Sequence, residues 1–193
     1  MAVLVLGLVL FLGVHSTRVF AEGWRTRTIA RVGEKPYKGV YTLVSLAGFA
    51  LLVWGYGLAR QQPVVLWTPP RGMNHLAALL MAISFVLLAA ANVPRNAIKA
   101  RLHHPMVLGV KAWAVAHLLA NGTLADLLLF GSFLGWAVLS FRAARQRDRA
   151  GQVQYAPGTA RGTAIAVVSG LALYALFVFW AHAWLIGVRP LQM

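Results

Sequence analysis

The chain has no cysteine among its 193 residues. That removes disulfides, thiolate metal sites, cysteine nucleophiles and the C-x-x-C-H attachment of haem c. Carboxylates are nearly absent as well, the only four being Glu22, Glu34, Asp126 and Asp148. Carboxylate-pair chemistry and Ser-His-Asp hydrolysis therefore lack their acids. Charge of either sign is sparse, at 11% of residues, where a soluble domain carries about a quarter. A soluble domain is excluded on that ground.

Apolar residues fill the space instead, at 60% of the chain. They recur in runs near the ~20 residues that cross a bilayer as a helix. Six spans are predicted, over residues 2–20, 39–59, 74–93, 104–120, 124–141 and 163–187. The expected fold is an all-α, polytopic membrane helix bundle in contact with lipid.

A net charge of +14 raises the question of nucleic acid, but the arrangement of the cations argues against it. Six surround the first loop (Arg18, Arg25, Arg27, Arg31, Lys35, Lys38), three the third and five the fifth. Together those loops hold 14, against three for the second and fourth loops and the tail. This asymmetry is the positive-inside pattern. It places the basic loops in the cytoplasm beside anionic headgroups, with both termini outside, and predicts no nucleic-acid partner.

The opening "MAVLVLGLVLFLGVHSTRVF" has no positive n-region, and its charges follow the apolar run. A retained span is expected rather than a cleaved signal. In loop one, Trp24, Ile29 and Val32 are interleaved with cations. Two forms are open for it: a helix lying in the interface or an irregular basic loop. Between spans four and five, Asn121-Gly122 suits a turn with positive φ. Thr123 and Asp126 fit a capping pair for the next helix, which makes Asp126 a cap rather than a catalytic acid.

The histidines carry the remaining chemistry. "HHPMVLGVKAWAVAHLLANG", residues 103–122, holds three of the six together with Lys111, inside a spanning segment. Ionisable groups at such depth are costly and mark functional sites. His104-Pro105 fits a helix start. His117 lies thirteen residues on, about 20 Å along the helix and on a different face. His15 falls on span one at a depth between them, while His75 and His182 lie toward the outside. Such a spread does not suit zinc, which wants three or four converging ligands in motifs such as H-E-x-x-H. Haem b needs only one or two axial imidazoles from separate helices, an apolar pocket and cations for its propionates. The alternative for each histidine is a hydrogen bond to a neighbouring helix. Lys111 either meets an anionic headgroup, cofactor or substrate or snorkels its amine to the interface.

Three stretches, "LGVHSTR", "ARVGEKPYKGVYTLVSLAGFALLVWGYG" and "HHPMVLGVKAWAVAHLLANG", resemble the NnrU family of bacterial membrane proteins. The resemblance is carried by residues 1–150, leaving 151–193 as an additional C-terminal transmembrane helix. The family takes its name from a protein tied to nitrite and nitric oxide reduction in denitrifying bacteria. It is similar to plant 15-cis-ζ-carotene isomerase, a membrane haem b enzyme that isomerises a polyene. What this implies is an inner-membrane protein in which His15 and His117 hold haem iron, with His104 needed around the site. Where the isomerase has an alternative cysteine ligand, this chain has Ala114.

Three functions follow as expectations. One is a haem b protein, acting as a redox-linked isomerase of a lipophilic polyene or as a factor supporting denitrification. Another is a membrane methyltransferase, because span four is similar to the "HP…G…N" element of the isoprenylcysteine methyltransferase group. The acidic and aromatic motif of that group is missing from "FRAARQRDRAGQVQYAPG". The third is a non-catalytic membrane scaffold. Substrate and oligomeric state are not legible in the sequence.

Overall fold

The computed structural model describes residues 1–191, and among these the regular structure is helical, with two isolated β-bridges and no strands. Helix α1 covers Ala2–Phe20, α2 Glu22–Val32, α3 Glu34–Ala59, α4 Met73–Asn92 and α5 Ala97–Leu102. Then come α6 over Pro105–Ala120, α7 over Leu124–Ala150 and α8 over Ala160–Leu176. A π-helical turn, Phe177–Ala181, joins α8 to the short α9, His182–Ile186. Five stretches are long and apolar enough to cross a bilayer, the last running from Ala160 to Ile186. Helix α6 is apolar but has only 16 residues, about 24 Å of rise, short of a ~30 Å hydrocarbon core.

Local chemistry sets several boundaries. Pro105 sits at the start of α6, where no intrahelical N–H is needed, and His104 is its N-cap. Thr123 and Asp126 form a reciprocal capping box on α7. Loop one takes the helical form: α2 exposes Trp24 and Val32 and buries no residue. Helix α7 runs nine residues past the expected end at 141. That tail, "RAARQRDRA", is rich in Ala and Arg, which sustain a helix beyond the apolar stretch.

Close backbone approach organises one half of the bundle. A Cβ on Gly7, Gly48 or Gly55 would lie within 2.4, 2.7 or 2.3 Å of the partner backbone across the α1–α3 contact. Small residues let membrane helices pack this tightly, where hydrophobic exclusion gives no help. The other half is α4 packed against α6 and α8. Helix α7 touches both α1 and α6 and so joins the halves. Helix α3 does not approach α4 or α8 among the described residues. Outward faces carry exposed apolar side chains such as Val9, Leu43 and Phe179, as lipid contact requires.

The α6–α7 turn corrects one expectation. Asn121 has φ −133°, and Gly122 is not among the positive-φ glycines. Glycine is needed there for proximity instead: a Cβ on Gly122 would sit 1.9 Å from the Trp67 carbonyl oxygen. Leu66 and Trp67 donate their N–H groups to the Gly122 carbonyl at 2.8 and 3.1 Å, and Leu124 N–H meets Val64 O at 2.8 Å. The second loop thus plugs the turn end of the α6–α7 hairpin.

Candidate cofactor pocket

The gap between α3 and the α4–α8 pair is a cavity of about 610 Å³, within the range of small-molecule sites. Aliphatic and aromatic side chains line most of it, including Leu52, Met81, Phe85 and Trp113. A few polar groups converge on it: Tyr56, Arg60, His117 and His182.

His117 is positioned by its own helix. Its Nδ1 donates to the Trp113 carbonyl at 2.8 Å. A carbonyl only accepts, so Nδ1 carries the proton and the neutral ring keeps its lone pair on Nε2. The ring stacks on Phe130, with centroids 4.5 Å apart at 25°, and tilts against Trp113 at 5.3 Å. His182 has the same arrangement, Nδ1 donating to Val188 O at 2.7 Å. Arg60 donates to the Ile186 carbonyl at 2.9 Å, and its guanidinium lies 6.0 Å from the Tyr56 ring centre. Tyr56 donates to Asp126 Oδ1 at 2.6 Å. The other carboxylate oxygen accepts from the Thr123 hydroxyl and N–H at 2.6 and 3.0 Å. Both oxygens of this buried acid are engaged, which fits a structural cap and no catalytic duty.

His15 lies elsewhere. Its Nδ1 meets Phe11 O at 2.7 Å, and its ring neighbours are Phe11, Tyr41 and Trp136. It contacts α7 at Trp136, six residues from the Phe130 level of His117, about 9 Å along the helix. Phe133 fills that interval, with its ring 5.7 Å from Phe11 and 5.3 Å from Trp113. The structure does not bring His15 and His117 into one pocket. Ala114 is not on the lining either: it is wholly buried in the core cluster that includes Leu4, Leu8 and Phe130. That face of α6 belongs to the packed core beside α7.

His104 and Lys111 belong to the opposite end. His104 Nε2 donates to Asp148 Oδ2 at 2.8 Å, and the Tyr155 hydroxyl donates to the same oxygen at 3.0 Å. His103 stacks on Tyr155 with centroids 4.2 Å apart and accepts from Arg145. Desolvation, then its bond to Asp148, pushes the Tyr155 phenol above its ordinary value. Lys111 Nζ stands 4.2 Å from the centre of the Phe141 ring, a cation–π contact away from the cavity. Among the described residues no three metal-ligating side chains cluster. A two-imidazole or one-imidazole haem requires no such cluster.

Sequence reasoning missed Tyr56 and Arg60, and it noted His182 only for its depth. Tyr56 and Arg60 face the gap because α1 and α3 pack so tightly through their glycines, a tertiary fact without a local signature.

Five apolar stretches long enough to cross a bilayer, the shorter α6 and an imidazole-bearing internal pocket define a multi-pass membrane protein with a ligand-sized interior. The chain belongs to the NnrU family: the family model described as "NnrU protein" matches residues 3–190, with the C-terminal helix included. No curated protein and no solved structure matches the chain.

Proposed function

We propose that this NnrU-family protein binds haem b in the α3–α4–α6–α8 cavity, with His117 as an iron ligand. The observation that carries it is the His117 imidazole on the wall of an apolar cavity, its Nδ1 proton committed to Trp113 O. Such a second-shell hydrogen bond fixes the tautomer and leaves Nε2 as the ligating atom. Arg60 is the cation suited to a propionate, and the aromatic wall suits the macrocycle. Haem, when bound, supplies an iron able to cycle between ferric and ferrous states. The protein's part is to exclude water, orient the ring and set the potential by its apolar surroundings. In this reading the protein serves redox chemistry linked to nitrite and nitric oxide reduction, or isomerises a lipophilic polyene. The likeness to the carotene isomerase supports the second, and also supports His15 as a partner ligand.

The test is the absorption spectrum of detergent-purified protein supplied with haem, before and after dithionite. A Soret band that shifts on reduction is expected, and His117→Ala should lose most of it. Wild-type protein without a Soret band overturns the proposal, as does a full band in His117→Ala. Orientation in the bacterial inner membrane follows from the 14 inner-loop cations, with both termini periplasmic. Reporter fusions after Arg101 and Arg149 that read as periplasmic would reverse it.

A further inference from the structure

We propose that His182, rather than His15, is the second imidazole ligand of the group held by His117. This rests on the reading that the cavity binds haem. Among the described residues, His117 and His182 are the two histidines on the cavity wall. Both carry the same preparation: an Nδ1–H given to a main-chain carbonyl, which leaves the Nε2 lone pair unspent.

The backbone around His182 is specialised for this placement. The helix that begins at Ala160 switches to a π turn at Phe177–Ala181, immediately before His182. A π turn adds one residue to the helical circuit, so every later side chain is rotated by about 100° relative to an unbroken α-helix. After Ile186, Gly187 takes a left-handed conformation, φ 77°, which side-chain-bearing residues rarely adopt. That reversal brings the Val188 carbonyl back to His182 Nδ1.

Backbone packing alone does not account for where α9 sits. The π turn follows α8 and meets α4 through the Phe85 and Phe177 rings, 5.5 Å apart, whereas the α9 backbone, among the described residues, lies close to the π turn alone. The hydrogen bond from Arg60 on α3 to the Ile186 carbonyl spans the cavity instead. A locally expensive helix irregularity, a left-handed glycine and an arginine tether thus converge on one imidazole. His15, in contrast, is enclosed by Phe11, Tyr41 and Trp136 outside the cavity.

The experiment compares haem-loaded, detergent-purified wild type with His182→Ala and His15→Ala, by electron paramagnetic resonance of the ferric state and by absorbance. Wild type is expected to be low-spin with two nitrogen ligands. His182→Ala should become high-spin and return to low-spin when free imidazole is added, while His15→Ala stays low-spin. A high-spin wild type overturns the assignment but leaves the haem reading standing. So does a low-spin His182→Ala, or loss of the low-spin signal confined to His15→Ala. A His182→Ala protein that takes up no haem even with imidazole also counts against it. Wild type that takes up no haem removes the haem reading itself.

Discussion

The two ends of helix α6 use histidine in opposite ways. At its C-terminal end, His117 gives its Nδ1 proton to a carbonyl of its own helix and keeps Nε2 unspent beside a cavity. At its N-terminal end, His104 spends Nε2 on the Asp148 carboxylate, and His103 stacks on Tyr155 and meets Arg145. The first arrangement leaves an imidazole free to coordinate. The second ties the start of α6 to the end of α7 and the loop beyond it. Histidine content alone therefore says little. What the second ring nitrogen touches separates a candidate ligand from a structural clasp.

The sharpest disturbance of that contrast comes from Gly122, which belongs to neither histidine group. Its added Cβ in Gly122→Ala would meet the Trp67 carbonyl at 1.9 Å, a backbone atom that cannot swing away. The second loop must then lift off the α6–α7 turn, breaking its hydrogen bonds to the Gly122 carbonyl. Overpacking of this kind costs about 1–3 kcal/mol. Asn121, on the cavity wall, is the adjacent residue, so haem retention should fall together with thermal stability. A variant with unchanged melting temperature and unchanged Soret intensity would show that the loop does not close the pocket.

Next in size is His104→Ala. It removes a partly exposed charge-assisted hydrogen bond, about 1 kcal/mol after solvent screening. Asp148 retains Tyr155 as a donor, so the clasp loosens without opening. The expected outcome is a small drop in melting temperature with an unaltered haem spectrum. A changed spectrum would bring the N-terminal end of α6 into the proposed haem site, as the likeness to the carotene isomerase implies for His104, and the contrast would collapse.

Much of this was legible beforehand, for reasons tied to particular residues. The spans follow from apolar run length, and the α6 and α7 starts from Pro105 and from the Thr123–Asp126 pair. Both are local rules that read the same in any fold. That His182 shares a cavity with His117 was not legible, because helical periodicity gives faces without saying which faces meet. The depth argument left His15 within reach; the Phe11–Phe133–Trp113 rings fill the intervening space. The π turn before His182 is likewise invisible to a 3.6-residue pattern. Nor does Asn121-Gly122 announce that its glycine answers to a distant tryptophan carbonyl rather than to its own φ.

The smallest expected effect is that of Ala114→Cys, and it asks how α6 is rotated. Residue 114 precedes His117 by three positions, about 60° around the helix and 4.5 Å along it. In the isomerase likeness this site holds a cysteine that reaches iron. In this protein Ala114 is wholly buried, in the core cluster that also holds Leu4, Leu8 and Phe130, and α6 packs there beside α7. A sulfur added there enters packed core rather than the cavity, a small-to-large change that should lower stability modestly. No thiolate should reach the cofactor, so the ferric protein should keep a nitrogen-ligand spectrum and an unchanged reduction potential. A thiolate is an anionic, strongly donating ligand, and its arrival would lower the potential and alter the paramagnetic signal together. Thiolate-type signals in Ala114→Cys would mean that α6 turns its 114 face toward the cofactor, and would remove the present basis for assigning His182 over His15.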